Sequence, residues 1–154
     1  MIFKFKKSKK LRIGLLGLAA KPIPAPVGNI CAPNDIVYRL AEGLEEAGHQ
    51  VTVFTGDDSA KDLKKVTLGC QSTWNQYGKD KEIDPVIYTR RRMEYDLMLS
   101  SEAIKYYKSG KLDIIHSHDF RTNPYLFLNA NIPVLYTVHG DIRSGITKYD
   151  EKKL

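Results

Sequence analysis

The sequence has only two cysteines, Cys31 and Cys70, and they form neither a C-x-x-C pair nor a metal-ligand spacing. A disulfide-dense scaffold is excluded, and reduced thiols of a cytoplasmic protein are the expectation. No apolar run reaches the length of a membrane span. Internal repeats and low-complexity tracts are absent as well. Neither G-x-G-x-x-G nor G-x-x-x-x-G-K-[ST] occurs, which leaves the nicotinamide-dinucleotide and P-loop readings without their phosphate-binding signature.

What is present is ordinary for a globular chain: 42% hydrophobic and 27% charged residues over 154 positions, enough for one domain with a real core. The net charge of +6 is modest, and five of the lysines (Lys4, Lys6, Lys7, Lys9, Lys10) lie in residues 1–10. That stretch reads as a basic, flexible leader rather than a nucleic-acid site. Arg90-Arg91-Arg92 is a second basic run, read as a solvated face. Residues 1–20 share the outline of a secretory signal. Their apolar part is short, though, Arg12 interrupts its start, and a globular pattern follows at once, so residues 12–18 read as a first buried strand.

The pattern along the chain alternates strand and helix. Pro22, Pro24, Pro26 and Gly28 make residues 19–32 a loop. Pro33 then opens a helix in which Ile36, Val37, Leu40, Ala41, Leu44 and Ala47 recur at helical spacing opposite Glu42, Glu45 and Glu46, with Gly48 as its cap. Residues 51–55 are a β-branched second strand. The stretch to about residue 92 has no clean period, and Val86-Ile87-Tyr88 reads as a short strand. Residues 93–108 read as a helix with Met93, Leu97, Ile104 and Tyr107 near one face, ended by Gly110. Residues 112–116 and 132–138 are strands, with a short helix over 123–129 between them. Such alternation implies a Rossmann-like, three-layer α/β sandwich with a mainly parallel sheet.

Open α/β sheets bind ligands outside the carboxyl ends of their strands, so polar residues at those ends are the functional candidates. The loop at 19–32, between first strand and first helix, is one such place, because helix N-terminal amides favour anions and Gly28 would admit a close approach. His116 and His118 close one late strand and His139 closes another. As metal ligands, His116 and His118 would suit a metal-dependent hydrolase, but few further ligands follow them. The reading preferred here has His116 hydrogen-bonded within the sheet end, His118 and His139 facing one crevice as substrate-binding groups, and Asp119 orienting His118.

Taken together these segments resemble the N-terminal domain of the family 4 (group 1) retaining glycosyltransferases of GT-B fold. The similarity runs over about residues 11–142. It is carried by the opening Arg12-Ile13-Gly14-Leu15-Leu16 strand and the proline loop, by residues 41–53 with Gly48-His49-Gln50-Val51, and by Phe54-Thr55-Gly56-Asp57-Asp58-Ser59. Two later strand ends, Asp113-Ile114-Ile115-His116-Ser117-His118 and Pro133-Val134-Leu135-Tyr136-Thr137-Val138-His139-Gly140, complete it. Where members often carry Gly-Gly-x-Glu or Gly-Gly-x-Gln, this chain has Cys31, Ala32, Pro33 and Asn34.

The resemblance implies the N-terminal half of a GT-B fold, with residues 1–10 as leader, 11–142 as a Rossmann-like acceptor-binding domain, and 143–154 as a polar tail or the start of a continuation. It implies transfer of a sugar from a nucleotide-sugar donor to an acceptor hydroxyl, with retention, by a protein whose C-terminal half holds the nucleotide. These 154 residues alone are then expected to be inactive. His118 would be the catalytic residue near the reacting centre. His118, His139 and Gly140 would line the acceptor side, and Gly28 or Asn34 would border the phosphates. No metal or other cofactor is expected beyond the donor as co-substrate. The partners expected are a sugar, glycolipid or small-molecule acceptor and the nucleotide sugar, with no nucleic acid. The location expected is the cytoplasm, with peripheral contact at the inner membrane face compatible with the basic leader. Two other functions remain open: a stand-alone α/β module for a small ligand or nucleotide, and the metal-dependent hydrolase.

Overall fold

A computed structural model describes residues 9–78 and 83–139. Five strands, β1 (Arg12–Leu16), β2 (Gln50–Phe54), β3 (Lys65–Val66), β4 (Ile114–Ser117) and β5 (Val134–Tyr136), form one sheet in the order β3-β2-β1-β4-β5. Every pairing is parallel. Among the described residues three α-helices, α1 (Ala32–Glu46), α2 (Pro85–Lys108) and α3 (Pro124–Ala130), connect the strands, and Trp74–Gly78 forms a short π-helix. Among the described residues no helix is long and apolar enough to cross a membrane.

Strand alternation divides the apolar residues between two cores, which makes the domain a three-layer sandwich. Ile13, Leu15, Val51 and Val53 face α1 and pack with its Val37 and Ala41. Leu16, Phe54 and Ile115 face the opposite way, against Tyr95, Leu99, Ala103 and Ile104 of α2 and Phe127 of α3. Gly14 lies on this second face, where a Cβ would stand 2.7 Å from Leu112 Cδ1 and 3.2 Å from the Phe54 ring. Glycine there lets α2 and its flanking loop close on the central strand.

Helix boundaries follow from capping chemistry. Beyond α1, Gly48 N–H donates to Glu45 O and His49 N–H to Leu44 O, a pair that requires the left-handed conformation Gly48 adopts at φ 84°. Asp84 caps α2 by accepting from the amides of Val86 and Ile87, and Pro85 occupies the first turn.

That cap corrects the expectation of a strand at Val86-Ile87-Tyr88, because it starts α2 eight residues earlier than the pattern of 93–108 suggests. The buried face of α2 is also rotated. Met93 and Leu97 are exposed, while Tyr95, Asp96, Leu99, Ser100, Ala103 and Ile104 face the sheet. On α1, Ile36 likewise turns to solvent. The short edge strand β3 has no legible pattern of its own, since only two residues pair with β2.

Candidate functional site at the strand reversal

Strand order reverses between β1 and β4, and a crevice forms where crossovers leave such a sheet in opposite directions. His118 stands at this point. It is the residue after β4, and its N–H donates to Leu16 O at 2.9 Å. Thr137 N–H donates to Ser117 O at 3.0 Å, which extends the ladder past β5 and brings His139 alongside.

Three imidazoles are thereby brought side by side. The His116 and His118 ring centroids are 4.6 Å apart, and those of His118 and His139 are 5.2 Å apart with planes 26° from parallel. His118 Nδ1 lies 2.9 Å from His139 Nε2, so one of these nitrogens carries a hydrogen and the other accepts it. His116 Nε2 meets Thr137 Oγ1 at 2.8 Å and is thus hydrogen-bonded within the sheet end.

Burial pushes the His118 imidazolium pKa down to about 4, and the two neighbouring rings add to the fall. Burial also lowers that of His116. His118 is therefore a neutral imidazole at physiological pH, able to exchange hydrogen bonds but not to present a positive charge. It is only 3% exposed, and its Nε2 is buried without a partner.

The loop from 17 to 31 forms the facing wall and is held from several sides. Asn34, at the start of α1 and fully buried, accepts from Leu18 N–H at 2.8 Å. Its amide nitrogen donates to Leu18 O, Lys21 O and Pro22 O at 3.0, 2.7 and 3.3 Å. The Asp96 carboxylate reaches from α2 to accept from Ala19 N–H at 2.7 Å. Thr73 and Trp74 amides donate to Ala19 O and Ala20 O, each at 2.9 Å.

The expected site residues thus fall into separate places. His118 and His139 are brought into contact. Asn34 lies beneath the loop, with both polar atoms of its side chain committed to the backbone. Gly28 sits at an exposed turn with φ 83°, following the bond from Asn29 N–H to Pro26 O, and no atom approaches the position of its missing Cβ. Gly140 lies outside the described residues.

Asp119 does not orient His118. Its Oδ1 accepts from Arg121 and Thr122 amides in the turn before α3, and its Oδ2 has no partner. Among the described residues no group of three or more His, Cys, Asp or Glu side chains could hold a metal.

Sequence reasoning missed the groups behind this wall. Arg92, expected on a solvated face with Arg90 and Arg91, turns inward instead. Its neighbours both pair with Glu94, whereas Arg92 Nε is buried 4.0 Å from Asp96 Oδ2 and has no hydrogen-bond partner. Ser117, Ser100 and Asn123 form a buried network nearby, with the Asn123 amide donating to both hydroxyls at 3.1 Å. The available signal was the run of small residues at Ser100 and Ala103, which marks the helix face that approaches the sheet. Asp96 lies on that same face.

The sequence model described as Glycosyltransferase Family 4 matches residues 35–154. A search of curated proteins gives no match to the chain.

Proposed function

Because this chain belongs to glycosyltransferase family 4, we propose that the crevice between β1 and β4 is the acceptor-binding side of a sugar-transfer site. The observation that carries this reading is the contact between His118 and His139 at the strand reversal of a domain from that family. The donor is a nucleotide sugar clamped by a further half outside these residues, and the acceptor is a sugar, glycolipid or other small polyol.

In this reading transfer proceeds with retention, through a transition state with oxocarbenium-like charge. The departing phosphate accepts the acceptor's proton, and the protein supplies position and hydrogen bonds. A neutral imidazole suits that task, since it neither repels the developing positive charge nor protonates the acceptor. His139 presents the accessible ring of the pair. His118 stands at the reacting side, and its unpartnered Nε2 is the nitrogen left for a substrate group once the side chains over it move. The exposed Gly28 turn borders the donor phosphates, and Asn34 serves the same region by fixing the loop. No metal takes part.

Two measurements on the 154-residue chain test this. Saturation-transfer NMR with glucose, mannose and myo-inositol should show binding that weakens at least about tenfold in His139→Ala, the expected loss of one well-placed hydrogen bond to a ligand. Incubation with radiolabelled UDP-glucose or GDP-mannose plus the same acceptors should give no transfer. Absence of polyol binding would overturn the acceptor assignment, and transfer by this chain alone would overturn the division of labour.

A further inference from the structure

Asp119, the neighbour that the sequence offers to orient His118, is taken by the Arg121 and Thr122 amides. The His118 backbone is held by its N–H on Leu16 O, which leaves the ring free to turn. Fixing that ring therefore falls to side chains of β4 and of the chain that follows β5.

Two contacts of one kind cross between these segments. His116 Nε2 meets Thr137 Oγ1 at 2.8 Å, and His118 Nδ1 meets His139 Nε2 at 2.9 Å. Each joins residues 21 apart in the chain. Side chains two apart on an extended strand share a face, so the ladder that Thr137 N–H continues on Ser117 O sets the four groups on one side of the sheet. His116 is in register with Leu15, which packs toward α1, so that side is the one carrying α1.

Between the two polar contacts lies a contact of ring on ring. The His116 and His118 centroids are 4.6 Å apart with planes 33° from parallel. A His118 ring turning away from His139 has to displace the His116 ring, and that ring is tied by Thr137. Burial keeps both imidazoles neutral at physiological pH, so their close approach carries no charge repulsion. Without the Thr137 hydroxyl, His116 Nε2 loses this partner at a half-buried position, and an unmade hydrogen bond there favours a turn toward water.

We propose that Thr137 and His116 are positioning residues for His118: the hydroxyl fixes the first ring, the first ring packs the second, and His118 Nδ1 is thereby kept on His139 with Nε2 left for a substrate group. The use of this geometry in sugar transfer rests on the function proposed above, but the geometry itself does not.

The test is nitrogen-15 NMR of the histidine rings in the 154-residue chain without ligand. It compares wild type with Thr137→Val, which keeps the branched shape and removes the hydroxyl. Ring-nitrogen shifts report tautomer and hydrogen bonding, and a pH series reports the His118 midpoint. The proposal expects Thr137→Val to change the His118 Nδ1 and Nε2 shifts at neutral pH. It also expects the midpoint to rise by at least about half a pH unit toward the ordinary histidine value, since a ring released from its place is better hydrated. Thr137→Ser, which keeps the hydroxyl, should restore both. Polyol affinity by saturation-transfer NMR should fall about fivefold in Thr137→Val, the order of one modest hydrogen bond, and recover in Thr137→Ser.

Wild-type His118 shifts and midpoint in Thr137→Val would overturn the proposal, because a purely structural hydroxyl moves the melting temperature and not the His118 ring. A Thr137→Ser variant as altered as Thr137→Val would overturn it too. If Thr137→Val does not fold, His116→Phe decides the matter. That variant keeps a ring against His118 but breaks the bond to Thr137, and unchanged His118 shifts there would equally sink the proposal. If the wild type binds no polyol, the acceptor reading fails while the ring measurements still decide this one.

Discussion

Replacing Asn34 by alanine should destabilise the domain severely, because one side chain bonds four backbone groups of the loop after β1. The change would orphan Leu18 N–H, bonded at 2.8 Å, and Lys21 O, bonded at 2.7 Å, and would weaken Leu18 O and Pro22 O. Asn34 has no exposed surface, so water cannot replace those partners without opening the loop. At about 1–3 kcal/mol for each buried group left unsatisfied, two such losses and a small cavity amount to about 3–5 kcal/mol. That is a large share of the roughly 5–15 kcal/mol stabilising a domain of this class. Urea unfolding followed by fluorescence is well suited to the measurement. Trp74, the single tryptophan, donates its backbone N–H to Ala20 O within the same loop contact. The midpoint should fall by about 2 M urea for a slope near 2 kcal/mol per molar. Asn34→Asp separates hydrogen bonding from shape. It keeps the volume but turns the donor nitrogen into an oxygen facing three carbonyls, so at neutral pH it should cost at least as much as alanine. Protonation restores one donor, so the loss should shrink as the pH falls. Both variants lying within about 0.5 kcal/mol of wild type, the range of neutral surface changes, would refute the loop account.

Three further outcomes are expected. Gly17→Ala should cost about 1–3 kcal/mol in the same assay, because its Cβ would come 2.7 Å from Ile23 Cδ1 and 2.9 Å from the committed Asn34 Oδ1. A neutral effect would show that this corner is looser than described. The His118 ring should titrate near pH 4 by NMR, and a midpoint near the ordinary histidine value would contradict its burial. Since His118 is less protonated folded than unfolded, its contribution to stability is full above about pH 6.5 and is lost as the pH falls toward about 4. Asp113, held well below the usual carboxylate range by hydrogen bonds from Arg12, contributes stability above the unfolded value near pH 4 and loses it as the pH falls through its lower folded value. Asp113→Asn should therefore flatten the acid limb of the stability curve, and an unchanged limb would assign it to other groups.

How far the site could be read in advance differs residue by residue. His118 and His139 were recognisable because a strand pattern has a definite end, and a polar residue at that end faces the crevice. Asn34 was picked out by its position at the loop–helix junction, but its burial and its three backbone acceptors come from how residues 18–22 fold back over α1. Asp119 follows His118 in sequence, yet the turn before α3 claims one of its oxygens. The basic run at 90–92 reads as uniform. Helical rotation of about 100° per residue sends Arg92 inward while Glu94 holds its two neighbours.

The sequence by itself determined the layered α/β class, the order of its main strands and helices, and the family. Each of these depends on local periodicity, on caps such as Gly48, and on short motifs in fixed order. Tertiary structure decided the phase of α2, the neutrality of His118 and the approach of Arg92 to Asp96. Burial, dielectric surroundings and contact between residues far apart in the chain are set by packing, and no local pattern encodes them.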